Sequence, residues 1–272
     1  MKQEERMNEL HLFAGAGGGI LGGQLLGHTT VCAVEIEEYP RQVLLQRQRD
    51  GVLPKFPIWD DVSTFDGKPW RGTVDVICGG FPCQDISAAG RGAGIGGKRS
   101  GLWKEYARII DEIRPKFVFA ENSPLLRGRG LDVVLGDLSE LGYDARWCVL
   151  GAWHVGAPHK RNRMWVLAYP NSKRLQGGKL ARGFDSEGRQ KQDGHVTKCR
   201  EIPNSSVARL EGDIRRLAEG EGSSGSSWWA SEPSVGRMAH GVARRVDRIK
   251  AIGNGQIPAV AATAFSILKE EL

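Results

Sequence analysis

From about Asn8 to Tyr169, short apolar runs alternate with stretches of helical periodicity, and this alternation limits the architectures open to the chain. Glu9–Phe13 reads as a strand, followed by a glycine turn and a helix through Leu21 to Leu26. Thr30–Glu35 reads as a second strand and Tyr39–Arg49 as a helix. Val74–Cys78 is a buried strand that ends in Gly79-Gly80, where the backbone can turn sharply. Trp103–Ile113 is helical, with Tyr106, Ile109, Ile110 and Ile113 on one face. Phe117–Ala120 is a strand, Leu131–Leu141 a helix, and Ala145–Leu150 and Met164–Tyr169 complete the series as strands. Strands alternating with helices predict an α/β fold with a mostly parallel sheet. Sites then belong at the carboxyl ends of the strands.

After Tyr169 the texture changes. Residues 170–232 are polar and rich in Gly, Ser, Arg, Lys and Gln, and only Ser206–Leu217 reads as a helix. Structure returns from Pro233, and Gly253-Asn254-Gly255-Gln256-Ile257-Pro258 leads into a terminal helix, Ala259–Glu271. This divides the chain into 1–169, an inserted segment 170–232, and a returning segment 233–272. At 272 residues, 40% hydrophobic and 26% charged, the composition is that of a soluble globular protein. No apolar run approaches the roughly 18 residues that span a bilayer. The charged start predicts no signal peptide, and a cytoplasmic setting is expected. Cys32, Cys78, Cys83, Cys148 and Cys199 are odd in number and lack metal-type spacing, so neither a disulfide framework nor a metal site is expected. The net charge of +6 is compatible with a polyanionic partner without identifying one.

Phe13-Ala14-Gly15-Ala16-Gly17-Gly18-Gly19 follows the first strand and opens a helix. Such a turn lets a ligand approach the backbone at a helix N-terminus. Glu35 ends the second strand about 20 residues after Gly15, the spacing of an acid that binds ribose hydroxyls. Asp61 stands where a third strand should end, with Asp60 as its rival. A nicotinamide enzyme would share Glu35, so these features alone leave the cofactor open.

Cys78-Gly79-Gly80-Phe81-Pro82-Cys83-Gln84 places a thiol just beyond a buried strand, where it is presented to a substrate. With Phe-Ala-Gly-x-Gly-Gly upstream, Ala120-Glu121-Asn122-Ser123 and Arg161-Asn162-Arg163 downstream, and Gly253-Asn254 near the end, the chain resembles the DNA cytosine-5 methyltransferases of bacterial or phage type. The resemblance covers most of the chain. It implies a Rossmann-like methyltransferase fold with a seven-stranded sheet, an inserted target-recognition region, and S-adenosylmethionine as cofactor. It implies that Phe13, Ala14, Gly15, Gly17 and Gly18 form the cofactor loop, that Glu35 holds the ribose, and that Asp61 meets the adenine amino group. Ile36, Val62, Pro82 and Asn254 complete that pocket. Cys83 becomes the nucleophile that adds to carbon 6 of cytosine, Glu121 the group that holds N3 and the exocyclic amine, and Arg163 a donor to O2. Arg161 organises the same site and Asn122 braces the loop. Three flanking positions depart from the family's usual residues: Ser123 and Gln256 each replace valine, and His159 replaces glutamine.

The chemistry also requires the base to leave the duplex. The glycine-rich segment Asp85–Leu102 resembles the family's mobile loop, with Ser87, Lys98 and Arg99 as DNA contacts. Residues 170–232 occupy the place of the target-recognition region, and their basic residues suit phosphate contact. The implied partner is double-stranded DNA, with a cognate restriction endonuclease as a second partner, or none in an orphan or phage enzyme; no membrane is expected. Two alternatives keep the motif set: a cytosine-5 methyltransferase acting on tRNA, and a catalytically silent DNA-binding relative. A nicotinamide oxidoreductase would leave the segments around Cys83 and Gly253–Gln256 unexplained.

Overall fold

A computed structural model describes residues 6–82, 101–171, 245–270 and 272. Seven strands form one sheet in the order β3-β2-β1-β4-β5-β7-β6. They are β1 (Asn8–Leu12), β2 (Thr29–Val34), β3 (Ile58–Trp59), β4 (Val76–Gly80), β5 (Phe117–Asn122), β6 (Tyr143–Leu150) and β7 (Arg163–Pro170). β7 runs antiparallel to both neighbours, β5 and β6; the pairings from β3 to β5 are parallel. The helices are α1 (Gly18–Leu25), α2 (Glu38–Arg49), α3 (Gly101–Ile113), α4 (Leu126–Arg129), α5 (Leu131–Glu140), α6 (Arg245–Asn254) and α7 (Pro258–Glu270). The sheet is seven-stranded and mostly parallel with helices on both faces, as the alternation and the resemblance implied.

Two corrections concern boundaries. β4 extends through Gly79 and Gly80 instead of ending at Cys78. Both glycines are needed for close approach within the sheet. A Cβ on Gly79 would collide with the Leu12 carbonyl of β1, and one on Gly80 would stand 2.5 Å from Glu121 Oε2 of β5. β3 is only Ile58–Trp59, so Asp60 and Asp61 lie beyond its end. A third correction concerns apolar length. Val246–Glu270 is long and apolar enough to cross a membrane by those criteria alone. It is two helices broken between Asn254 and Pro258, and α7 buries Val260, Ala264, Phe265 and Leu268 against the sheet.

The period-2 alternation of strands assigns each face its role. Leu10, Leu12, Ile77, Val118, Ala120 and Val166 pack beneath α3 and α5, joined by Trp103, Tyr106, Ile109 and Ile110. The Tyr106 hydroxyl is buried against the carbonyls of Ile77 (3.2 Å) and Phe119 (3.3 Å). Trp103 Nε1 donates to Asp137 Oδ2 of α5 at 2.7 Å. The opposite face is covered by α1 and α7, with Val76, Phe119, Trp165, Leu167 and Phe265 in its core. Ala261 of α7 comes close enough that a Cβ on Gly22 of α1 would meet its methyl at 3.0 Å.

That second face also holds a polar network. Glu9 and His11 alternate with Leu10 and Leu12 along β1, yet Glu9 is 2% exposed and His11 3%. Glu9 Oε2 meets His11 Nε2 at 2.8 Å and Oε1 meets His28 Nδ1 at 2.7 Å. Cys78, paired with His11 across β1 and β4, donates its thiol to Glu9. Linear spacing suggested no metal-ligand set, but the fold brings donor atoms of Glu9, His11 and Cys78 within 4.8 Å of one another. Their polar groups already hydrogen-bond among themselves. Burial pushes the Glu9 carboxyl up, and the two imidazoles more than reverse this, holding it at about 2. Burial raises the thiols of Cys78 and Cys32, the latter to about 12, so both stay protonated and inert.

The depressed Glu9 value has a stability consequence. Its contribution is complete above the ordinary carboxyl value of 4.5 and is lost as pH falls toward 2. Glu9→Gln is expected to cost about 3 kcal/mol at pH 7. Urea unfolding between pH 7 and pH 2.5 should show the difference from wild type shrinking below pH 4.5.

Candidate functional site

The carboxyl ends of β1, β4 and β5 converge on one cleft. Its lining includes Phe13, Ala14, Gly15, Gly80, Glu121 and Asn254. One end is the glycine loop after β1. Phe13 (φ 52°), Gly15 (φ 55°) and Gly17 (φ 91°) all adopt left-handed backbone, which glycine tolerates and phenylalanine resists. Gly17 is also the N-cap of α1 and makes no side-chain cap hydrogen bond to its first turn. Phe13 stacks on Tyr106 with ring centroids 6.4 Å apart, which offsets part of its backbone strain.

Glu35 sits just past β2, 6% exposed. Its Oε2 accepts the Gly15 N–H at 2.6 Å and its Oε1 the Glu37 N–H at 2.8 Å. Burial raises its pKa, and the two backbone donors work against that rise. The acid therefore fixes the loop itself, and each oxygen keeps a second acceptor lobe for a ligand. Ile36 beside it is 63% exposed. Asp61 caps its own turn, with Oδ1 accepting from Ser63 N (2.9 Å) and Ser63 Oγ (2.8 Å), bonds that lower its pKa. Asp60 is exposed. The Val62 side chain is 5% exposed and packs in the core, and its carbonyl accepts from Arg108 Nη2 at 2.9 Å. Glu35, Ile36, Asp61 and Val62 flank the cleft on neighbouring strand ends instead of lining it.

At the other end of the cleft the buried Glu121 forms an ion pair with the half-buried Arg163. β7 is antiparallel to β5 with Glu121 opposite Trp165, so Arg163 is the diagonal neighbour of Glu121 on the same face. Arg163 Nε meets Glu121 Oε1 at 2.8 Å. Gln256 also hydrogen-bonds the carboxylate. Burial pushes the Glu121 carboxyl up to about 7, against the opposing pull of Arg163, Arg161 and Gln256. Arg161, with φ 35°, spends Nη2 on the carbonyls of Ile252 (3.0 Å), Gly253 (2.8 Å) and Gly255 (2.6 Å). It thereby ties the loop before β7 to the turn that carries Asn254.

Asn122 projects to the other side of β5 and donates Nδ2 to the Phe81 carbonyl at 3.2 Å. Phe81 is 3% exposed and packs on Trp103 with centroids 5.1 Å apart. The chain leading into Pro82 is thus pinned from both ends of the residue. Cys83, Ser87, Lys98 and Arg99 lie outside the described residues, as does residues 172–244, which take in most of the proposed recognition region. Two contributors escaped the sequence reading: Tyr106, visible there only as an apolar helix position, and Gln256, visible only as a departure from valine.

The C-5 cytosine-specific DNA methylase family matches residues 7–249 of the chain. Type II methyltransferase M.Eco47II of Escherichia coli is 38% identical over 189 residues, covering 65% of this chain and 41% of that protein. Type II methyltransferase M.HhaI of Haemophilus parahaemolyticus is 31% identical over 188 residues, covering 68% and 55%. The chain thus spans roughly half the length of these relatives or less. Among solved structures, Entamoeba histolytica methyltransferase EhMeth aligns with a TM-score of 0.52 at 17% identity, covering 61% of this chain and 54% of that one, a likeness of fold alone. A match that runs through the sheet, the glycine loop and the Glu121–Arg163 pair places the chain in the C-5 cytosine-specific DNA methylase family.

Proposed function

We propose that this protein transfers a methyl group from S-adenosylmethionine to carbon 5 of cytosine in double-stranded DNA. The observation that carries the reading is the Glu121–Arg163 pair, 2.8 Å apart, whose buried carboxylate lines the same cleft as the glycine loop. A carboxyl held near 7 can be protonated at neutral pH, and can therefore donate to a ring nitrogen. The names of the curated relatives, Type II methyltransferases, support the same activity.

The residues present fit the cofactor. The glycine loop lines the cleft, and at Gly15 a Cβ would meet nothing within 4 Å, so the loop leaves open space there. The first turn of α1 offers N–H donors, Phe13 an aromatic face, and Glu35 acceptors for ribose hydroxyls. In this reading Asp61, whose Oδ1 is held by Ser63, meets the adenine amino group, and Asn254 lines the cleft from the C-terminal segment. When bound, the cofactor supplies an electrophilic methyl group on a sulfonium.

Cys83, as thiolate, adds to carbon 6 of a cytosine flipped from the helix, forming the C–S bond. Glu121 delivers its proton to N3 as the ring gains electron density, and Arg163 donates further N–H groups to O2. The C–S bond and the proton on N3 together give carbon 5 the enamine character that attack on a sulfonium methyl would need, the S–CH3 bond then breaking to leave a neutral thioether. A base removes the carbon 5 proton, the C–S electron pair returns to Cys83, and N3 gives its proton back to Glu121. Arg161 and Asn122 hold the turn and the Phe81-Pro82 approach on which these groups depend. Residues 170–232 read the target sequence, Ser87, Lys98 and Arg99 contact the DNA, and the reaction takes place in the cytoplasm of a bacterial or phage-infected cell.

Cys83→Ser should abolish methyl transfer, scored by bisulfite sequencing of DNA from expressing cells. DNA carrying 5-fluorocytosine should trap the wild-type protein covalently at Cys83, because fluorine cannot leave as a proton does; an untrapped but active protein would sink the nucleophile assignment. S-adenosylmethionine should raise Tm while NAD does not, and Glu35→Ala should diminish that rise. Because Glu121 must be protonated to donate, kcat/KM should fall as pH rises through about 7, approaching tenfold per pH unit.

A further inference from the structure

Gln256 stands in the turn between α6 and α7, where the family usually has valine. Its main-chain oxygen lies so close to Gly18 that no Cβ fits there, and its side-chain Oε1 does the same at Gly19. Gln256 is therefore seated on the N-terminus of the glycine-loop helix by both main chain and side chain. Its Nε2 lies 3.4 Å from where a Cβ on Gly80 would stand, and Glu121 Oε2 lies 2.5 Å from the same point. The amide hydrogen-bonds the Glu121 side chain. The chain leading into Gln256 is held by the Arg161 guanidinium through the carbonyls of Ile252, Gly253 and Gly255. An amide anchored this way has little freedom to swing from the carboxylate.

We propose that Gln256 is a positioning residue that fixes the carboxyl of Glu121 from the side of the glycine loop, while Arg163 fixes it from β7. The role rests on the reading of Glu121 as the group that meets the flipped cytosine. The charged groups facing that carboxyl are Arg163 at the start of β7 and Arg161 in the loop before it. Gly80 of β4 closes the remaining side with backbone alone. Gln256 is thus the neutral contact in the set. An arginine pair on one oxygen leaves the carboxyl free to pivot about that contact, and a second, independently anchored donor removes the freedom. A proton bound for N3 has to sit on a particular oxygen, so the pivot matters to the chemistry. A hydrogen bond to the ionised carboxyl also favours ionisation, so losing it should move Glu121 further toward the acid form.

The test uses the full chain in two variants, Gln256→Met, which keeps the length without the donor, and Gln256→Val, which restores the family's residue. The Glu121 carboxyl is followed by 13C NMR titration in the absence of DNA, with Glu121→Gln identifying its signal. Both variants should raise the titration midpoint by about one pH unit, a tenfold change in the protonation equilibrium. The descending limb of kcat/KM should move to higher pH by the same amount. A midpoint that stays in place in both variants overturns the proposal, whatever the activity. A midpoint that moves in a protein whose wild type transfers no methyl group sustains the Gln256 contact and removes the methyl-transfer reading beneath it.

Discussion

Burial of one carboxylate at the end of β5 governs how this end of the molecule is assembled. Removing an ionised side chain from water costs several kcal/mol unless charges and hydrogen bonds stand in for the solvent. Around Glu121 those substitutes come from distant parts of the chain: Arg163 from β7, Arg161 from the loop before it, and Gln256 from the turn before α7. Room for them exists because Gly80, opposite Glu121 in the parallel β4–β5 ladder, has no side chain. The ion pair, the missing Cβ and the anchored turn form one arrangement, and a change to any of them is felt by the carboxylate.

The same economy of backbone shapes the route from the glycine loop to Pro82. Phe13 stacks on Tyr106, Tyr106 on Trp103, and Trp103 packs on Phe81, in one aromatic series between the two loops. The Tyr106 hydroxyl donates into the sheet from below. Rigid aromatic packing holds the ends of both loops on regular elements, which gives more precise placement than loops alone can offer. Asn122 completes this by taking the Phe81 carbonyl.

Two buried carboxylates lie on one face of the sheet and are pulled in opposite directions. Glu9 has an imidazole on each oxygen and is held at about 2, while Glu121 rises to about 7 despite two neighbouring arginines. Environments that separate like groups in this way tend to separate roles. Glu9 is a fixed anion that knits β1 to the segment before β2. Glu121 is poised to exchange a proton at neutral pH. His11 lines both the pocket around Glu9 and the cleft at Glu121, so the two networks are neighbours in space.

Much of this was legible in the linear chain. The alternation from Asn8 to Tyr169 carried the α/β fold because periodicity is local and follows from side-chain direction alone. The glycine loop was readable as a strand-to-helix turn, and Glu121 and Arg163 through the resemblance that the motifs around them carry. β1 was not legible in the same way: Glu9-Leu10-His11-Leu12 alternates like a strand with one wet face, yet both polar residues are buried. Their partners, His28 before β2 and Cys78 on β4, come from other parts of the chain, and no local pattern reports that pairing. Gln256 was visible only as a departure from valine for the same reason. The sequence by itself determined the elements, their class and the candidate chemical groups, since these depend on neighbours along the chain. The tertiary structure alone decided which carboxylate is ionised, which glycines are obligatory and which turn meets Glu121, since these depend on strand order and on contacts across the sheet.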